Sequence, residues 1–209
     1  LPVAFPVSTE DPATGQRVDD IFVVNRDGLH MTRLTAASGI DESPAWSPLD
    51  GRIAYQHWDP SGRSDIWSMD TFGSSMINLT SDMPSGPSRS GAAWTRDGSR
   101  IAFLQSETIG SATTTSIWVM RADGTEKRQL SSSATAFYGT PTWSPDGTQL
   151  AFVHHYGADA DITIMDVNTG STSRISIPGY EESPSWSPDG SLIAFTRGWA
   201  VYTVRPDGS

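Results

Sequence analysis

Four tryptophans in this chain sit inside near copies of one phrase. SPSWSPDGSLIAF runs from Ser183 to Phe195, and TPTWSPDGTQLAF from Thr140 to Phe152. Looser versions are SPAWSPLDGRIAY, from Ser43 to Tyr55, and GAAWTRDGSRIAF, from Gly91 to Phe103. Trp46, Trp94, Trp143 and Trp186 are separated by 48, 49 and 43 residues. Such a period is the mark of a repeat architecture and takes precedence over residue-by-residue reading. An apolar triplet follows each tryptophan: Ile53-Ala54-Tyr55, Ile101-Ala102-Phe103, Leu150-Ala151-Phe152 and Ile193-Ala194-Phe195.

A second phrase alternates with the first. It reads DIFVVNRDG from Asp20, DIWSMDTFG from Asp65, SIWVMRADG from Ser116, DITIMDVNTG from Asp161 and AVYTVRPDG from Ala200. Short runs such as TRLT, ending at Thr35, and MINLT, ending at Thr80, come after it. Each unit therefore holds four strand-length segments: A (PxWS), B (IAF), C (DIWxM) and D (xxLT). Between A and B, proline presets the first turn position, aspartate can bond nearby backbone and glycine accepts a positive φ, which specifies a tight hairpin. The RDG, ADG and PDG runs do the same between C and D. In segment C, apolar residues occupy both alternating sets, as expected of a strand covered on both faces.

Four antiparallel strands on this period predict an all-β fold, a β-propeller of four-stranded antiparallel blades. Five repeats are visible: BCD, three complete units, then ABC. This predicts a five-bladed ring or part of a six-bladed one, a single domain over residues 1–209 excerpted from a longer chain. The spaced tryptophans are assigned to the core, where each can bury roughly 200 Å², on the order of 5 kcal/mol before entropy.

Composition narrows the function classes. With no cysteine among 209 residues, disulfides and thiolate metal sites are excluded. A net charge of -10 argues against binding nucleic acid through its phosphates. No apolar run has the length of a membrane span. The opening LPVAFPV lacks the basic region of an intact signal peptide.

The pattern SPxWSPDGxxIAF…DIWxMxxDGxxxxLT resembles the TolB-type repeat, also called the WD40-like propeller repeat. It covers the chain in five consecutive copies, departing from the pattern at WTRDG (from Trp94) and at Asp50-Gly51, where the turn shifts by one place. Repeats of this type occur in periplasmic proteins of the TolB type, in propeller domains of prolyl oligopeptidase-type enzymes and in many secreted bacterial proteins. The resemblance implies a protein-binding scaffold, with the partner on the loop face and central funnel, in the periplasm or outside the cell.

An up-and-down blade puts the A–B and C–D turns on one face and the B–C and D–A connections on the other. The first set is short and stereotyped, the second irregular, and irregular loops on a rigid scaffold are where function concentrates. The residues just before each A segment are expected nearest the axis: Asp41 and Glu42, Arg89, Tyr138, and Glu181 and Glu182. Converging carboxylates there could hold Ca²⁺ or another cation; no other cofactor is expected. His57 and His154 end equivalent B segments, and a metal role would need them to converge with a carboxylate. Trp58, Tyr156, Tyr180 and Trp199 complete the candidate partner-binding set, as aromatic anchors.

Catalytic signatures are missing. There is no G-x-S-x-G elbow, no H-E-x-x-H and no phosphate-cradling loop. The leading expectation is a non-catalytic propeller that binds a protein or peptide. The alternatives are the substrate-gating propeller of a larger serine peptidase and a carbohydrate-binding propeller that uses Trp58, Tyr156 or Trp199.

Overall fold

The structure, a computed structural model, describes residues 2–10, 15, 17–36, 39–133, 137–156, 159–177 and 179–209. All of its regular elements are strands. The first repeat comprises β1 (Val3–Glu10), β2 (Arg17–Val24) and β3 (Thr32–Arg33). The second has β4 (Ile40–Trp46), β5 (Arg52–Trp58), β6 (Ser64–Asp70) and β7 (Ile77–Asn78), and the third β8 (Ser88–Trp94), β9 (Arg100–Ile109), β10 (Ala112–Arg121) and β11 (Arg128–Ser133). In the fourth, segment A is split into β12 (Phe137–Tyr138) and β13 (Thr142–Trp143), followed by β14 (Gln149–Tyr156), β15 (Asp159–Asp166) and β16 (Thr172–Ile175). The fifth is β17 (Glu181–Trp186), β18 (Ile193–Arg197) and β19 (Ala200–Val204).

Within each repeat the strands pair antiparallel in chain order. One parallel bridge, Asp19 to Ile40, joins the first repeat to the second, and Ala160 bridges to Tyr180 in the same way. Among the described residues no ladder joins β19 to β1, and no helix is long and apolar enough to cross a membrane.

The core is distributed, one apolar cluster to each junction between successive repeats. This explains the Ile-Ala-Phe triplet. Ile101 and Phe103 point back toward Ala54 and Ile66 of the preceding repeat. Ala102, between them, points forward and leaves room for Trp143 of the next. Ala54 faces Trp94 and Ala151 packs with Trp186 in the same manner. Segment C also serves both sides: Ile117 and Val119 face forward while Met120 faces back. The small residue is a packing requirement, because interiors have no spare volume opposite an indole.

Trp94 and Trp143 are buried, and each indole N–H donates to an inner-strand carbonyl of the preceding repeat, Ala45 O at 3.1 Å and Ala93 O at 2.9 Å. Trp46 and Trp186 are only partly buried, so the core assignment holds fully for two of the four.

The A strands differ from expectation in length. Strands β4, β8 and β17 each contain a bulge, between Glu42 and Ala45, Ser90 and Ala93, and Glu182 and Ser185. A left-handed residue sits in each: Ser43 at φ 52°, Gly91 at 65° and Ser183 at 51°. The ladder therefore resumes past Ser43-Pro44, Gly91-Ala92 and Ser183-Pro184. Asp41, Glu42, Arg89, Tyr138, Glu181 and Glu182 lie within inner strands rather than in the loops before them.

Candidate functional site

The loop-face ends of these inner strands alternate in direction, and this decides which side chains are available. Asp41, Arg89, Tyr138 and Glu181 are buried, whereas Glu42 is partly exposed and Glu182 exposed. The buried set occupies one position in four successive junctions. Each faces the start of the previous C strand and the end of its own B strand, and the chemistry changes from junction to junction.

Between the second and third repeats, Arg89 reaches Asp65 at 2.8 Å and donates to Pro84 O at 2.6 Å. Asp65 also accepts from Thr80 Oγ1 at 2.9 Å and Asn78 Nδ2 at 3.0 Å. Burial pushes the Asp65 carboxyl up, but the bonds from Asn78, Thr80 and Arg89 outweigh it and hold the group below its usual range. Arg89 is wholly enclosed and presents no surface to a partner.

Between the first and second repeats, Asp41 pairs with His57 Nδ1 at 2.6 Å, and Asp20 with Arg33 at 2.6 Å. The hydrogen bond to Asp41 raises the His57 pKa against the opposing effect of burial. Between the third and fourth, Tyr138 packs edge-on against His154, centroids 4.8 Å apart. Burial, then the neighbouring His155, lowers the His154 pKa. Between the fourth and fifth, Glu181 stands opposite Arg197 in the ladder, and Asp161 is paired with Arg174. Neither carboxylate oxygen of Glu181 accepts a hydrogen bond among the described residues. Burial, then the charge of Asp161, raises its pKa.

The outward set is more accessible. Trp58 Nε1 donates to Glu42 at 2.8 Å. Tyr180 Oη and His155 Nδ1 are 2.8 Å apart. Beside them a pocket of 190 Å³ is lined by Gly139, Thr140, Val153, His155, Glu182 and Ser183. Trp199 is fully exposed on the β18–β19 turn. The Tyr156 side chain lies outside the described residues.

The structure thus couples Asp41 with His57, Glu42 with Trp58, Tyr138 with His154, and Tyr180 with His155 near Glu182. His57 and His154 serve different junctions. Among the described residues no three His, Asp or Glu side chains are grouped to hold a metal ion. Sequence reasoning missed His155, Arg197 and the Asp65 network. The available signal was the recurring spacing from the acid of segment C to a polar residue thirteen positions later: Asp20 to Arg33, Asp65 to Asn78, Asp161 to Arg174.

The model of the TolB beta propeller domain matches residues 92–200, more than half of the chain. The chain belongs to the TolB β-propeller family. A TolB homolog of Chlorobium luteolum is 32% identical over 157 residues, 73% of this chain and 33% of that protein. The Tol-Pal system protein TolB of Anaeromyxobacter dehalogenans is 35% identical over 131 residues, 62% of this chain and 27% of that protein. The chain thus spans about a third or less of these relatives' length.

Among solved structures, a TolB-annotated protein of Agrobacterium tumefaciens superposes with a TM-score of 0.73 at 17% identity, over 100% of this chain and 79% of that one. Puromycin hydrolase superposes with a TM-score of 0.69 at 19% identity, over 99% of this chain and 38% of its own. At these identities the likeness shows the propeller fold alone. In the TolB propeller family assignment, the strand sets described above are blades.

Proposed function

We propose that this TolB-type propeller is a non-catalytic scaffold of the bacterial envelope that binds a protein or peptide through its irregular-loop face and central funnel. One observation carries the reading. At the inner end of the fourth and fifth blades, exposed Glu182, the left-handed Ser183 and His155, itself bonded to Tyr180, line a small pocket on the face where the irregular loops gather. Polar groups with defined partners beside exposed aromatic surface make a surface suited to a peptide chain. The relatives' naming as Tol-Pal system proteins supports the envelope location. Exposed carboxylates on this rim, Glu182 first, favour partners with basic groups, chiefly through association rate.

The test is a peptide array of basic, neutral and acidic sequences, probed with wild type, Glu42→Ala/Glu182→Ala and Trp58→Ala proteins of unchanged circular dichroism. Basic peptides should bind wild type and lose about tenfold in affinity to the variants, in the range expected of interface anchors. Equal binding by all three proteins would refute the assignment to this face.

A further inference from the structure

On the opposite face, the A–B turns of successive blades meet the tryptophans of the next inner strand, and adjacent junctions are finished differently. Between the third and fourth blades, Arg100, the first residue of β9, lays its guanidinium over the Trp143 ring, 4.8 Å from the centroid. The same group donates to Gly147 O at 2.6 Å. A Cβ on Gly147 would come within 3.0 Å of that guanidinium, so glycine with a φ of 69° both forms the turn and admits the cation.

One blade on, the tryptophan and the turn glycine have counterparts and the cation has none. Trp186 takes the place of Trp143, Gly190 that of Gly147, and Gln149, first residue of β14, that of Arg100. Gln149 is shorter and neutral. The result is a cavity of 230 Å³ lined by Asp146, Gln149, Trp186, Asp189, Gly190 and Pro206, among others. The nearest atoms to a Cβ on Gly190 belong to the Pro145 ring, at 3.5 Å. Trp186 Nε1, like Trp46 Nε1, is buried without an acceptor among the described residues, whereas Trp94 and Trp143 each donate to a carbonyl.

At the junction before, Arg52 turns away to Ser68 Oγ at 2.6 Å, and Ser47 and Leu49 lie against Gly98 instead. Arg96 donates to Pro188 O at 3.0 Å in the turn that also carries Asp189, but does not line the cavity. The lining therefore carries two carboxylates and no cation. The Ser187 hydroxyl and the Ser191 amide hold the Asp189 carboxyl down at about 2, so it is charged at any physiological pH.

We propose that this cavity is a binding site for an arginine side chain presented by a protein or peptide partner, seated over Trp186 as Arg100 is seated over Trp143. The planar guanidinium stacks on the indole and donates to the Gly190 carbonyl, with the Asp146 and Asp189 carboxylates supplying the opposing charge. Arginine is favoured over lysine because a flat, weakly hydrated cation loses less on leaving water and fits a ring face. The site lies on the turn face, so it stands or falls independently of the loop-face reading.

The experiment follows the Trp186 indole N–H resonance by heteronuclear NMR while an acetylated, amidated Gly-Arg-Gly peptide is added. The control is the same peptide with citrulline, which keeps the shape and removes the charge. The arginine peptide should move the Trp186 signal and bind about tenfold tighter than the citrulline peptide, with affinity falling as salt rises. Gln149→Arg should fill the cavity from within and abolish the response while the fold is retained. Arg100→Gln should open the equivalent cavity and make the Trp143 resonance respond as well. An unmoved Trp186 signal, equal binding of citrulline, or an undiminished response in Gln149→Arg would each overturn the assignment.

Discussion

The guanidinium of Arg89 is fully enclosed by protein and lies 2.8 Å from Asp65, a residue of the preceding blade. The two charges belong to one network with Arg63, Asn78, Thr80 and the Pro84 carbonyl. Arg89→Ala would leave Asp65 beside a buried gap with Arg63, 3.0 Å away, as its remaining cation. It should destabilise by about 3–5 kcal/mol, the usual cost of removing one member of a buried pair. The double variant Asp65→Asn/Arg89→Met should recover a large part of that loss. Urea denaturation of the single and double variants measures both.

A second prediction concerns pH. His57 is held above its ordinary pKa by Asp41, so it carries more charge in the folded state than in the unfolded chain. Its contribution to stability is fully present below the unfolded value and is lost as pH rises through the folded one. Between about pH 5.5 and about pH 8.5, wild type should therefore lose more stability than His57→Gln. Parallel melting curves for the two proteins would show no divergence if the pair contributed nothing.

Glu181 predicts a substitution that stabilises. Its carboxylate is enclosed, accepts no hydrogen bond among the described residues and faces Asp161. A carboxyl with a raised folded-state pKa favours folding at low pH and opposes it as pH rises through that value. Glu181→Gln should raise the melting temperature at neutral pH by a few degrees, on the order of 1 kcal/mol, with the gain shrinking toward about pH 4. Thermal scans at the two pH values test the sign.

Packing supplies a fourth test. Ala102 is fully buried in the cluster that holds Trp143 and points at the next blade. Ala102→Leu should cost about 1–3 kcal/mol through overpacking. Ile101→Ala, on the opposite face of the same strand, should cost about 2–5 kcal/mol through a cavity. Both are read from denaturation midpoints at constant m-value.

Strand assignment was largely legible in advance. The repeated phrase located the A–B and C–D turns and the alternation of segments, because a tight hairpin needs Pro, Asp and Gly in sequence-local order and a doubly covered strand needs apolar residues on both faces. Asp146 shows why the turns were readable: it bonds Ser144 and Thr148, each two residues away. The site was less legible. Arg89, Glu42 and Glu182 read alike as polar residues ahead of a strand. Only the bulge at Ser183 and its equivalents determines which of them turn inward, since an inserted residue reverses the side-chain alternation beyond it.

What the residues determined by themselves is therefore the local grammar: five sets of strands, their turns and the Ile-Ala-Phe rule that lets one blade press on the next. Tertiary structure decided the rest. It put Asp65 against Arg89, Asp161 beside Glu181, and Arg100 over Trp143 while leaving Trp186 uncovered. Those pairings join residues of different repeats across junctions. Their energies depend on burial and on partners distant along the chain, which periodicity cannot encode.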